Sequence, residues 1–424
     1  MATEFAGERA RGRGALWALV ILGGLVLFGA AGLHSLNVDP NVSVPNPAMP
    51  SPNAFDYDLR AGQSLRDARS IDSYFNGSNL ESPTITADPA VAAIVSDNAD
   101  SLGLVRQSFT HTYQNPPVRS FSTTMPYFGL DRRLARLLVL QATQKEAAGD
   151  WYGAAGCGLD AIRLGVDLPH GSSLIGELVG IFIEAMGRKA VWRTLSHLTA
   201  AQTRAAKNRL TAILSRRVPL ADTLQEEEWQ TEASLQDVMR QPNWQANLVS
   251  GSSGNMDLPR LLSLAFISKR SVMRDYRFYM GIQIRDARLP YAIQNGSETS
   301  PAHLNAVDQV VIPVFGGAKL KTADTQAKDE LLETALALRE YRDDHGAYPA
   351  TLSALVPVYL PVLPPDPFAV SGPLQYRLSG PGYALYSVGP DGKDDGGRPI
   401  DNPSSTRYNV ARDSRGDIVA GVNM

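Results

Sequence analysis

The chain has 424 residues, a formal net charge of −3 and a hydrophobic fraction of 44%, a globular composition that is long enough for more than one core. This charge balance does not favour a nucleic-acid partner. The single cysteine, Cys157, excludes an intramolecular disulfide and a cysteine-based zinc site, and it is expected to be a small buried hydrophobe.

The N-terminal segment is apolar enough to be a membrane helix. Residues 15–33 carry no charge, and a membrane-spanning helix needs ~20 apolar residues. Arginines at positions 9, 11 and 13 precede the segment, so the positive-inside rule predicts a single span with residues 1–14 in the cytoplasm and the bulk of the chain outside it. A cleaved signal peptide, with small residues at 29–31 as its cleavage site, is the alternative.

Residues 34–53 contain five prolines and almost no charge, a composition typical of an extended spacer. Helical periodicity dominates residues 54–318, which we predict to be a mainly α-helical middle domain. Asp88 and Pro89 predict the start of a helix that continues to about residue 110, by capping and by proline at the first helical position. Thr199 and Gln202 form the pattern of a capping box.

Two helices joined at Gly149-Asp150 predict an antiparallel hairpin over residues 130–166, which resembles a tetratricopeptide-type unit without a repeated copy. The next helix, over residues 172–195, carries Gly176, Gly180 and Gly187. We expect these glycines to let neighbouring backbones approach closely. Residues 258–289 are also predicted to be helical.

Gly316-Gly317 indicates a break in the helical pattern, and the pattern changes to α+β in residues 319–424. A strongly amphipathic helix is predicted over 324–345, and Gly346 is expected to end it. Period-two alternation in LQYRLS and YALYSV predicts a β-hairpin, and GDIVAGV at 416–422 predicts a third strand of the same antiparallel sheet.

The ordered features ALALREYRDDHGAYP, LPPDPF, the hairpin, GPDGKDDGG and GDIV resemble the head of the type II secretion major pseudopilin, protein G. The resemblance covers about residues 324–420, while the remainder resembles exported bacterial proteins of unknown function. It implies a bacterial cell-envelope protein in the inner membrane. The chain departs from that family because the predicted span lies about 290 residues upstream of the helix and carries no prepilin cleavage motif, so an ordinary filament subunit is excluded.

The same resemblance implies a calcium site in the glycine-rich acidic loop, with Asp391, Asp394 and Asp417 as ligands. Calcium prefers six to eight oxygen ligands. An insertion of about fifteen residues separates Asp417 from the loop. The alternative is an Asp-Gly turn whose carboxylates face water.

Catalytic motifs such as HExxH, GxSxG and a phosphate-binding P-loop are absent from the sequence, so a non-enzymatic protein is expected. Glu226, Glu227 and Glu228 beside Trp229 are interpreted as a solvated helix face, because consecutive residues point in different directions. We therefore predict a membrane-anchored structural or interaction protein associated with a secretion or pilus-like system. The alternatives are an exported hydrolase with its site in the helical domain and a helical peptide- or glycan-binding module.

Overall fold

The computed structural model describes residues 38–75, 88–249, 267–294, 315–401 and 410–423. The helices in this part of the chain are α1 Ala54–Gln63, α2 Ala68–Ser73, α3 Pro89–Asp97, α4 Ala99–Ser108, α5 Tyr127–Ala147, α6 Trp151–Asp167, α7 Leu174–Thr194, α8 Ala200–Leu214, α9 Leu220–Met239, α10 Trp244–Val249, α11 Lys269–Asp286, α12 Tyr291–Gln294 and α13 Gly316–His345. Three strands follow: β1 Gln375–Ser379, β2 Gly382–Ser387 and β3 Ile418–Val419.

The chain divides into two compact units. The larger unit comprises Pro45–Gln230, Met280–Thr299 and Val314–Met424, and the smaller comprises Met1–Val44, Thr231–Tyr279 and Ser300–Pro313. In the smaller unit, Arg277 donates to both carboxylate oxygens of Glu232 and to the carbonyl of Asn41, while Lys269 donates to Asp39 over 2.7 Å. Residues of the proline-rich segment therefore bond to helices instead of forming only a free spacer.

Glycines set the spacing between α6 and α7 in the larger unit. A Cβ atom placed on Gly187 would lie 2.5 Å from the carbonyl oxygen of Gly158, and one on Gly180 would lie 2.5 Å from that of Gly165. Real Cβ atoms do not approach other atoms so closely. The expected close backbone approach is confirmed for Gly180 and Gly187, whereas Gly176 lies against the side chain of Ser172 just before its own helix.

Helix α13 packs on two sides within the larger unit. One side joins Leu331, Leu338 and neighbours to the core of the C-terminal sheet, and the other contributes Leu332 and Leu336 to a core shared with α6 and α8. Charged side chains lie in this second contact as well. Asp329 accepts from Arg188 and Arg217, and each of these two bonds is 2.5 Å long.

The antiparallel sheet has the order β1-β2-β3. Gln375 pairs with Tyr386 at one end of the hairpin and Ser379 pairs with Gly382 at the other, and Tyr386 also pairs with Val419 of β3. The predicted hairpin and third strand are confirmed, although β3 is limited to two residues.

Most predicted helix ends agree with the structure. Asp88 caps α3 with Pro89 at its first position, Thr199 and Gln202 form the capping box of α8, and Gly346 ends α13 with a φ of 79°. The predicted helix over 88–110 is instead two helices that separate at Asn98. The side chain of Asn98 accepts the backbone N–H of Arg66 and donates to the Arg66 carbonyl oxygen. Helix α13 begins at Gly316, eight residues before the predicted start at 324.

The membrane part of the predicted fold class, and the localisation that depends on it, need correction. No helix in the described part of the chain is long and apolar enough to cross a membrane, and the predicted span at 15–33 lies outside that part. The structure supports a helical chain with one small antiparallel sheet. It does not support a single-pass inner-membrane protein.

Candidate functional site

The acidic loop connects β2 to the segment that leads back to β3. Gly389 adopts a φ of 72° at the start of the loop, a conformation that favours glycine. A Cβ atom on Gly389 would lie 2.6 Å from the carbonyl oxygen of Gly416. The two ends of the loop therefore meet at a place where a larger side chain has no room.

Asp417 lies at the centre of the loop and is fully buried. Its Oδ1 accepts the backbone N–H of Asp395 over 3.2 Å, and its Oδ2 accepts that of Gly397 over 2.7 Å. The Asp417 backbone N–H donates to the Arg398 carbonyl over 2.7 Å. The carboxylate thus closes the loop across the insertion by hydrogen bonds to backbone groups.

The pKa of Asp417 is raised to about 6, chiefly by burial. The two amide donors lower it, and the negative charges of Asp394 and Asp395 raise it. Asp394 itself accepts from the Tyr386 hydroxyl over 3.0 Å and from the Gly396 N–H over 2.8 Å. The structure therefore brings Asp394 close to Asp417.

Asp391 has a different environment. It is half-buried, and its Oδ1 accepts the N–H of Lys393, two residues later, over 3.2 Å. This bond is a local turn contact of the kind that aspartate makes in loops. Asp391 is not among the charges that shift the pKa of Asp417.

A calcium ion would need oxygen ligands directed at one point. Within the described ranges, no group of three or more His, Cys, Asp or Glu side chains is arranged to hold a metal ion. Both Asp417 oxygens already accept N–H groups, so the loop has a closure that requires no metal. Calcium binding by Asp391, Asp394 and Asp417 stays a prediction.

Asp366 positions the start of the loop and was not among the predicted site residues. This buried carboxylate accepts from Ser387 Oγ over 2.6 Å, from the Val388 N–H over 2.9 Å and from the Phe368 N–H over 3.0 Å. Burial raises its pKa. The signal in the sequence was a single acidic residue inside the proline-rich run LPPDPF.

A second candidate site is a groove of ≈390 Å³ in the helical part of the larger unit. Prolines and polar side chains line it around one tryptophan, among them Pro47, Gln114, His170, Asp222, Gln225, Glu226 and Trp229. The Nδ1 of His170 lies 2.9 Å from the carbonyl oxygen of Asp167. In the neutral ring that donates from Nδ1, Nε2 remains an acceptor.

The glutamates beside Trp229 do not form the solvated face that was expected. Glu226 is buried and pairs with Arg119, and Arg119 also donates to the carbonyl of Pro45. Glu227 Oε2 accepts the N–H of Leu174 over 3.0 Å at the start of α7. That interpretation is wrong because α9 packs against other parts of the larger unit through this face.

No known protein family matches the chain, and no curated protein or solved structure is significantly similar to it. No finding therefore supports naming the C-terminal part a pseudopilin or protein G-like domain. We correct that designation and describe this part by its structure alone. We call residues 316–424 the C-terminal module: one long helix, a proline-rich segment, a three-stranded sheet and the acidic loop.

Proposed function

We propose that the protein is a structural or interaction protein whose C-terminal module presents an apolar surface to a protein partner. The observation that carries this proposal is the exposure of valines on residues 356–362, which we call the valine segment. Val358 is 76% exposed and Val362 is 68% exposed. Exposed apolar groups concentrated on one surface are typical of interaction sites.

The valine segment is held firmly from beneath. Leu355 and Leu360 are buried in the core of the module, and the Leu360 N–H donates to the Leu355 carbonyl over 3.0 Å. Lys207 of α8 donates to the Tyr359 carbonyl over 2.6 Å, and the Tyr359 hydroxyl donates to Asp344 over 3.0 Å. A segment fixed in this way loses little conformational freedom on binding, which favours affinity.

The class of partner rests on sequence alone. The ordered sequence features of residues 324–420 suggest a secretion or pilus-like assembly as the partner, although no family match supports that assignment.

The test compares two sets of aspartate substitutions. The double variant Val358→Asp/Val362→Asp changes the valine segment, while Val370→Asp changes another valine of the module that is 72% exposed. Proximity labelling in the producing cells should recover a partner with the wild-type protein and with Val370→Asp, and lose it with the double variant. Identical sets of labelled proteins for all three would contradict the proposal.

The groove around Trp229 favours a second candidate function, the binding of a neutral glycan. Its volume lies within the range of small-molecule sites, and a tryptophan ring with nearby amides and an imidazole suits a sugar. None of the described lining residues is lysine or arginine. A glycoside hydrolase is less well supported, because it needs two carboxyl groups facing a substrate and Glu226 is already bound to Arg119.

Glycan binding can be tested with an oligosaccharide array and titration calorimetry. The wild-type protein and Val370→Asp should bind the same oligosaccharide, and Trp229→Ala should lose it. An array without a bound sugar, or one unchanged by Trp229→Ala, would exclude this candidate.

A further inference from the structure

Two buried carboxyl groups lie near each other where α1 packs against α5. Asp58 of α1 is 2% exposed and Asp131 of α5 is 3% exposed. The helices are in very close contact there, since a Cβ atom on Gly62 would lie 2.5 Å from Cβ of Leu130. Gly62 is one turn after Asp58 on the same helix face, and Leu130 adjoins Asp131 in sequence.

Hydrogen bonds to this pair are incomplete. Asp58 Oδ1 is fully buried and has no hydrogen-bond partner in the described structure. The opposite side of the Asp58 carboxyl group interacts with the hydroxyl of Ser108 at the end of α4. A buried ionised carboxylate left partly unbonded is costly, and a protonated one much less so.

The nearby cations are committed elsewhere. On α6, Asp167 accepts from Arg163 over 2.6 Å and from Arg216 over 3.2 Å. Among the described residues, no lysine or arginine forms an ion pair with Asp58 or Asp131. The positive charge of Arg163 acts on Asp58 more weakly than the negative charges of Asp131 and Asp167.

The other titratable groups that face the pair are tyrosines. Tyr113 is buried, and burial together with Asp131 and Asp58 raises its pKa well above the usual value. Burial and Asp131 raise the pKa of Tyr127 to about 12. Both hydroxyls therefore stay neutral and supply no positive charge to the two carboxyl groups.

We propose that Asp58 and Asp131 form a proton-binding site that holds at least one proton at neutral pH and couples it to the packing of α1 against α5. Two like charges that share a buried site cannot both ionise easily. The direction of the pKa shifts agrees with this arrangement. Burial raises the pKa of Asp131 to about 8, and burial followed by the charge of Asp131 raises that of Asp58 well above its ordinary value.

The sign of the pH dependence follows from linkage. Both folded-state pKa values lie above those of the unfolded chain, so the native state binds more protons than the unfolded state. The stability that the neutral pair contributes is complete below the unfolded pKa and is lost as the pH rises through the folded one. Each proton retained only by the folded state raises the unfolding equilibrium constant by up to about tenfold per pH unit within that window.

The experiment measures urea unfolding between about pH 5 and pH 9 for the wild type, Asp58→Asn, Asp131→Asn and the double variant. Asparagine has nearly the same shape as aspartate and cannot ionise. The double variant should therefore lose the part of the pH dependence of the free energy of unfolding that the pair causes. Asp97→Asn, at an exposed position, serves as the control and should keep the wild-type slope. Other buried carboxyl groups contribute equally to all variants, and comparing slopes removes them.

A wild-type slope equal to that of the double variant would overturn the proposal. If a variant does not fold, NMR of the wild-type protein labelled at the aspartate carboxyl carbons still tests it. At least one aspartate other than Asp417 and Asp366, whose pKa values burial also raises, is expected to remain protonated above about pH 5. Full ionisation of every aspartate except Asp417 and Asp366 at that pH would refute the site.

Discussion

The close contact between α6 and α7 supports a sharp prediction for Gly187→Ala. The added methyl group would lie 2.5 Å from the Gly158 carbonyl oxygen and 2.8 Å from the Ile162 backbone nitrogen. Both atoms belong to the backbone, so the helices must separate. Overpacking of this kind costs about 1–3 kcal/mol, and alanine's better helix propensity returns only about 0.5–1 kcal/mol of it.

Gly103→Ala in α4 is the matched control. A Cβ atom there meets nothing within 4 Å, so alanine should stabilise the protein by about 0.5–1 kcal/mol. The measurement is the midpoint of urea unfolding, monitored by circular dichroism, for both variants and the wild type. A Gly187→Ala midpoint at or above that of Gly103→Ala would refute the packing argument, and Gly180→Ala provides an independent repeat at the other close contact.

Three further predictions concern the carboxylates. Asp417→Asn replaces one of the two acceptor oxygens with a donor and leaves a buried loop N–H unpaired, so it should lower the free energy of unfolding by about 1–3 kcal/mol. Asp391→Asn, in a half-buried turn, keeps an acceptor oxygen for the Lys393 N–H and should change it by less than about 0.5 kcal/mol. If calcium binds the loop, saturating calcium must raise the thermal midpoint relative to chelator in the wild type and less in Asp417→Asn; an unchanged midpoint would exclude the calcium site. Asp329→Leu leaves the buried Arg188 guanidinium without its carboxylate partner, while Arg217 keeps Glu184. It should lower the free energy of unfolding by about 3–5 kcal/mol, against about 0–1 kcal/mol for Asp237→Leu in an exposed pair, as judged by urea unfolding.

Local signals in the sequence predicted helix ends and the hairpin because their causes are local. The Asp88 cap, the Thr199–Gln202 box and the positive φ at Gly346 depend on a few adjacent residues. The apolar stripe of the last helix was also recovered, since Leu331 and Leu338 are both fully buried. The start of that helix was missed because Gly316-Gly317 was interpreted as a break, although glycine is tolerated in the first turn of a helix.

Buried charges could not be predicted in this way. Asp329 and Arg188 are 141 residues apart in sequence, and charged residues are ordinarily assigned to the surface. For the acidic loop, the sequence suggested Asp417 as a ligand but left open whether this residue returns across the insertion. It could not indicate that loop amides satisfy both carboxylate oxygens, because that depends on how the backbone turns between residues 395 and 397.

The ion pairs of α13 fix the position of the C-terminal module relative to the helices of the larger unit. Arg204 and Lys207 of α8 pair with Glu340, and Arg217 joins Asp329 to Glu184 of α7. Hydrophobic contacts alone tolerate sliding of one helix along another, whereas buried ion pairs require one register because each misplaced charge would be desolvated and unpaired. Since Lys207 also bonds to the Tyr359 carbonyl, the same register fixes the valine segment relative to the helices. The proposed interaction surface therefore depends on the helical part of the larger unit as well as on the module that carries it.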